Sequence, residues 1–319
     1  MRKLILILSL WGICSCTSQS EKQIALPAVQ PLAADSISIP PTLLAVTRMF
    51  VMKDMLVTYE AKQDSMFSFW KLPQCEFLFR NGVKGRGPTE FLTLDRTYGE
   101  TSDGFQVFEM QTNRVKQVSV DTSGRFQVSA DKVLPTEKRM LNRFLFLKEN
   151  TWCFLADDED SEYTILKEDG ETISVGTYPK DLLPKRPEEL NRFVYNKLTV
   201  ANPSGDKFAA FYAYAKLCRI YSYEGELLQE TLLEKPTQSV ENRKACYTSF
   251  PYATDAYIYI LTTGTDQQPV LEVWNWQAEP VARYGLDKTV SAFAVSEIHK
   301  TLYAVCNDVE GVIYTYKLP

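Results

Sequence analysis

The chain repeats one unit across most of its 319 residues: an apolar run, a short break, a second β-rich run and a tight turn. The first copy is Met55-Leu56-Val57-Thr58-Tyr59 with Met66 to Trp70. The second joins Gly104 to Phe108 with Asn113 to Val120 and ends on Asp121-Thr122-Ser123-Gly124. Three more follow: Thr151 to Leu155 with Tyr163 to Leu166, Lys207 to Tyr212 with Lys216 to Tyr221, and Ala256 to Leu261 with Val270 to Trp274. The sixth is Thr301 to Val305 with Gly311 to Tyr316. Val, Ile, Tyr, Phe and Thr fill these runs, the side chains that suit a pleated, half-buried surface. Turn glycines at 124, 170 and 225 are 46 and 55 residues apart. A four-stranded propeller blade needs roughly 40 to 50 residues.

Recurrence of this kind predicts an all-β chain folded as a six-bladed β-propeller of four-stranded antiparallel blades, with five or seven blades also compatible with the spacing. An irregular sandwich requires no such repeat. The last strand, near Val312–Tyr316, has no residues after it to finish a blade. A segment around Leu43–Val46 is therefore expected to pair with it and close the ring, which removes an exposed edge. One stretch breaks the pattern. Pro187 to Tyr195 has proline at a first helical position and acids in the first turn, and reads as a short helix inserted between blades.

The start of the chain is an address. Met1-Arg2-Lys3 precedes the apolar run Leu4 to Leu10, too short for a stable membrane span. Ile13-Cys14-Ser15-Cys16 then resembles a bacterial lipobox, with Cys16 as the lipidated residue. The predicted division is a signal peptide at 1–16, a flexible Ser-, Ala- and Pro-rich tether at 17–41 and one propeller domain at 42–319. Thr17 is not aspartate, which makes the outer membrane the expected destination, and Ser18 to Lys22 holds one acid, which favours the periplasmic side over the cell surface.

Composition narrows the chemistry. A net charge of −5 and a pI near 5.2 argue against a nucleic-acid partner. A single histidine, His299, leaves little for histidine-based zinc sites or nucleophile activation. Cys75, Cys153, Cys218, Cys246 and Cys306 are odd in number and irregularly spaced, and several, such as Cys153 and Cys218, sit in strand-like runs, so they read as small buried apolar residues. The acidic run Asp157-Asp158-Glu159-Asp160, with Glu162, lacks the glycine and terminal glutamate of a calcium loop and reads as a solvated hairpin. No Gly-x-Ser-x-Gly element occurs.

Between the first two units lies Asn81-Gly82-Val83-Lys84-Gly85-Arg86-Gly87-Pro88-Thr89-Glu90-Phe91. Here the chain resembles the TolB-like six-bladed propeller lipoproteins of Bacteroides and relatives, which carry Gly-x-Gly-Pro-Gly-Glu-Phe or -Tyr after the first blade. Gly85, Arg86, Gly87, Pro88, Glu90 and Phe91 match that motif, and Thr89 replaces its third glycine. The resemblance implies a propeller and a membrane anchor. A phosphate nest is disfavoured, because Pro88 interrupts the backbone donors and no Lys-Ser/Thr pair follows. The motif reads as a structural turn.

Three polar-aromatic segments precede inner strands at a comparable phase and could converge on one channel mouth. They supply Arg143, then Arg192, Tyr195 and Lys197, then Arg243 and Tyr247. Arginine and tyrosine suit recognition of peptides, carboxylates or sugars. The expected function is a monomeric, outer-membrane-anchored binding or scaffolding module for a protein, peptide or glycan, with no cofactor and no catalytic residue assigned. The alternative is a lactonase-like hydrolase in which dispersed carboxylates hold a divalent metal, calcium above all, in the channel.

Overall fold

The middle strands of this chain are apolar on both faces, and a strand buried on both faces needs cover on both sides. Met55–Tyr59 and Thr301–Val305 are buried at every position, whereas the outer strand Leu227–Leu232 is exposed over its first four residues. Standing the sheets around an axis resolves this: each blade covers its neighbours, and only outer edges meet water. A computed structural model describes residues 24–40, 43–138 and 140–319 and shows that arrangement as a six-bladed β-propeller.

Blade one runs Arg48–Met52, Met55–Tyr59, Ser65–Lys71, Glu76–Val83, from axis to rim. Blade two is Leu94–Glu100, Gly104–Glu109, Arg114–Val120, Phe126–Val133, and blade three is Leu145–Leu147, Thr151–Leu155, Ser161–Leu166, Thr172–Thr177. Blade four is Lys197–Ala201, Lys207–Tyr212, Leu217–Ser222, Leu227–Leu232. Blade five is Tyr252–Ala253, Tyr257–Thr263, Pro269–Asn275, Pro280–Leu286. Blade six offers only Ala292–Ser296, Thr301–Val305 and Val312–Lys317 from the C-terminal end. The six sequence repeats are the second and third strands of these blades.

Ring closure differs from the expectation. Asp35–Ser38, not the segment around Leu43–Val46, pairs antiparallel with Val312–Lys317 and supplies the fourth strand of blade six. Just before it, Val29–Leu32 adds in parallel to Pro280–Leu286, so blade five has five strands. Of the segment expected as a tether at 17–41, residues 29–38 thus belong to the disc. Val46 still touches the last blade: its N–H donates to Asn307 Oδ1 at 2.9 Å.

Aromatic rings fill the wedges between blades. Phe50 stacks on Tyr98 between blades one and two with centroids 4.1 Å apart, and Phe108 stacks on Phe144 towards blade three at 4.0 Å. Tyr163 meets Phe208 edge-on at 5.2 Å between blades three and four, and Phe211 meets Trp274 at 5.5 Å between four and five. Such offset and edge-on pairs add specific geometry to area burial.

The turn glycines read from the sequence have left-handed φ of 89° at Gly124, 95° at Gly170 and 90° at Gly225, which explains their residue type. The five cysteines among the described residues are free thiols, four of them buried and Cys246 partly accessible. The expected helix shrinks to one turn, Asn191–Val194, between blades three and four. Its start is tied to the acidic hairpin: the Asn191 N–H donates to Glu159 Oε2. In the loop between blades one and two, Glu90 turns back so that its carboxylate accepts the Gly87 N–H at 2.7 Å, and Phe91 is fully buried. Thr89 is not among the residues with positive φ, so this loop does not need the family's third glycine.

Candidate functional site

Six inner strands surround the axis, and three arginines reach the space between them. Arg48 opens the inner strand of blade one and is 8% exposed. Its Nη2 donates to the Pro251 carbonyl at 2.7 Å, while Nε has no partner among the described residues. Burial lowers its pKa from the usual arginine value, opposed by Tyr98, Tyr252 and Asp95, and the group stays charged. Arg96, on the inner strand of blade two, is open to the lumen. Its guanidinium lies 4.9 Å from the centroid of Phe250, and Arg143 approaches the same ring at 4.6 Å. Arg143 has φ of 55° just ahead of the blade-three inner strand, a conformation that diverts its side chain from the regular strand path.

Asp95 sits among these cations. It accepts the Thr97 N–H at 2.9 Å and the Thr97 hydroxyl at 3.0 Å. Burial nevertheless pushes its carboxyl above the usual range, and Thr97 and Arg143 only partly offset that. Beyond Arg96 the same strand ends at Glu100, which the channel walls crowd and Asp255 opposes, raising its pKa to about 7. The axis therefore holds three connected spaces that share Arg96 and Phe250. One is a wide mouth of about 1110 Å³, another a cavity of about 390 Å³, and the third a cleft of about 260 Å³.

Two of the six sequence candidates reach the mouth. Arg143 lines it, and so does Arg192, whose Nη1 donates to the Asp157 carbonyl at 2.6 Å beside the exposed ring of Phe193. The other four do not converge there. Tyr195 is 3% exposed in the core between blades three and four, where its hydroxyl accepts the Leu183 N–H. Lys197 is buried in an ion pair with Glu162. Arg243, its side chain largely buried, clamps Glu189 through two contacts of 3.0 Å and so ties two loops together. Tyr247 borders the 390 Å³ cavity, but its ring packs edge-on against Phe211 in the core.

Sequence reasoning missed Arg48, Arg96 and Phe250. The signal available was clearest at Arg48, which opens the otherwise apolar inner strand Arg48–Met52, where a charge has no reason to be buried unless the axis is polar; Arg96 stands in the polar strand Leu94–Glu100 and gave no such signal. Cys16 lies outside the described residues. Among those residues no three His, Cys, Asp or Glu side chains form a group that could hold a metal, and no helix is long and apolar enough to cross a membrane.

Residues 44–298 match the profile of the TolB-like six-bladed propeller family, a span that covers blades one to four, the four antiparallel strands of blade five and the inner strand of blade six. The chain belongs to that family. Among solved structures, this TolB-like propeller resembles a protein described as exported from Bacteroides fragilis, at 11% identity and a TM-score of 0.53, over 92% of this chain and 97% of the other. It also resembles a member of the DUF4221 family from Bacteroides vulgatus, at 8% identity and a TM-score of 0.60, over 93% and 98% of the two chains. At such identity the likeness speaks for the fold alone. No curated protein matches the chain in sequence.

Proposed function

We propose that this TolB-like propeller is a lipid-anchored protein of the outer membrane, facing the periplasm, whose channel face binds a protein, peptide or glycan without transforming it. One observation carries the reading: Arg96 and Arg143 converge on Phe250, with Arg48 behind them, at the point where the axial spaces meet. A guanidinium pre-positioned against a ring can grip an anionic or polar group bidentately and loses little freedom in doing so. Anchorage rests on the lipobox at Ile13 to Cys16. An envelope location is also supported by the structural neighbour described as exported.

The test uses the purified protein in three ways. Capture of a partner from solubilised outer membranes should weaken when Arg143 and Arg192 are replaced by alanine. Calcium and EDTA should leave the melting temperature in place; a calcium-dependent rise of several degrees would instead support a metal hydrolase, since binding to the native state alone raises stability. Replacing Cys16 with serine should release the protein from the membrane fraction.

A further inference from the structure

The cavity of about 390 Å³ differs from the rest of the channel in its charge. Arg48 and Arg96 line it, and no aspartate or glutamate does. The wide mouth, by contrast, sets Asp95 and Asp157 against its arginines. Arg48 is more than nine-tenths buried and keeps Nε without a partner, a donor that costs free energy while it stays unmade. Arg96, on the neighbouring inner strand, makes no hydrogen bond or ion pair among the described residues, and its guanidinium rests against the ring of Phe250.

Two hydroxyls face the same space. Ser249 Oγ accepts the Leu261 N–H at 3.3 Å, and Ser291 Oγ accepts the Asn307 N–H at 2.9 Å. A hydroxyl used as an acceptor keeps its own proton to donate. The wall thus offers two guanidinium forks, two free hydroxyl donors and the ring of Phe250, in a volume within the usual range for small-ligand sites.

We propose that this cavity binds a polyhydroxylated carboxylate of the sugar-acid class. Arg48 and Arg96 take the carboxylate, Ser249 and Ser291 donate to ring oxygens or hydroxyls, and the C–H face lies against Phe250. Donors dominate the wall, so the ligand must bring acceptors. A bare oxyanion would satisfy the arginines but leave both hydroxyl donors and the ring unused. The inference rests on the reading of the channel as a binding site and names its ligand.

The experiment is calorimetric titration of the full-length protein with glucuronate, glucose, acetate and inorganic phosphate. Glucuronate should bind, with the other three weaker by roughly tenfold or more, because each lacks either the charge or the hydroxyls. Arg96→Gln, whose side chain is open to the lumen, should lower glucuronate affinity by about tenfold with an unchanged melt, and Ser249→Ala should lower it by a smaller factor. Arg48→Gln is the stronger change but risks the fold, so the Arg96 and Ser249 variants carry the test. Phosphate binding as tightly as glucuronate, or Arg96→Gln binding glucuronate like the unaltered protein, overturns the proposal. Absence of glucuronate binding with capture of a membrane partner retained overturns the sugar-acid class and spares the channel reading; loss of both overturns both.

Discussion

Glu162 on blade three and Lys197 on blade four form an ion pair of 2.8 Å, with both side chains almost wholly withdrawn from solvent. The same carboxylate accepts Arg219 Nη1 at 2.9 Å and the hydroxyls of Tyr212 and Tyr221. Burial alone would raise the Glu162 pKa, but Lys197 and Arg219 outweigh it and hold the group below its ordinary 4.5. One acid thus locks two blades together and accounts for a lysine that, read in sequence, looked like a ligand contact.

Replacing Glu162 with glutamine should destabilise the protein by about 3–5 kcal/mol, because two buried cations lose their counter-charge. The effect should depend on pH in a defined direction. A carboxylate with a lowered folded pKa contributes stability above its unfolded value and loses it as pH falls through the folded one. Urea midpoints should therefore decline on the acid side of pH 4.5 more steeply for the unaltered protein than for Glu162→Gln. Equal midpoints at neutral pH would contradict the lock.

The blades were legible in the sequence because their middle strands are buried on both faces, and that burial leaves a run of apolar residues at each repeat. Val29–Leu32 and Asp35–Ser38 escaped notice for the opposite reason. They cover only outer edges, stay largely exposed, and carry the polar and proline residues of a tether. The channel site was harder still. Arg48, Arg96 and Phe250 sit on different blades or in the loop before one, and only ring closure brings them together. Charge and aromaticity also could not say which candidates are consumed internally: whether Lys197 faces a ligand or a core depends on Glu162, 35 residues away.

Glu100 should give the opposite pH signature. Its pKa rises from 4.5 to about 7, first through burial by the channel walls and then through Asp255. An acid with a raised folded pKa contributes most stability below its unfolded value, and that contribution drains as pH rises through the folded one. Stability should therefore fall between pH 4.5 and about 7, and Glu100→Gln should flatten this slope. The side chain is open to channel water, so screening reduces the difference at pH 8 to about 1 kcal/mol in favour of the variant. Denaturation midpoints at pH 5 and pH 8 decide it; parallel shifts of both proteins would sink the idea.

Removal of residues 24–42 tests the closure of the ring. The loss of Asp35–Ser38 bares the edge of Val312–Lys317, and Ile39, 5% exposed, goes with it. Burial of one such aliphatic side chain is worth about 1.5–3 kcal/mol, and an open edge invites pairing with a second chain. The shortened protein should melt several degrees lower and elute partly as oligomers in size-exclusion chromatography. If these residues were only a tether, melting temperature and elution would stay where they are.

The loop after blade one makes a sharper prediction at Gly85. Its φ is not in the left-handed region, so the glycine is there for space rather than for backbone freedom. A Cβ at this position would lie 2.1 Å from Glu90 Oε2 and 2.6 Å from its carboxyl carbon. Gly85→Ala therefore has to expel the Glu90 carboxylate, and the Gly87 N–H then loses its acceptor. The expected cost is about 1.5–3 kcal/mol, the usual contribution of a hydrogen bond to a charged group. Glu90→Gln alone should cost less, since an amide oxygen can still accept. In the double variant the two effects should fall short of their sum, because both act through one contact. A chemical-denaturation cycle over the four proteins measures this coupling. Full additivity would mean that Gly85 is needed for some reason other than room for Glu90.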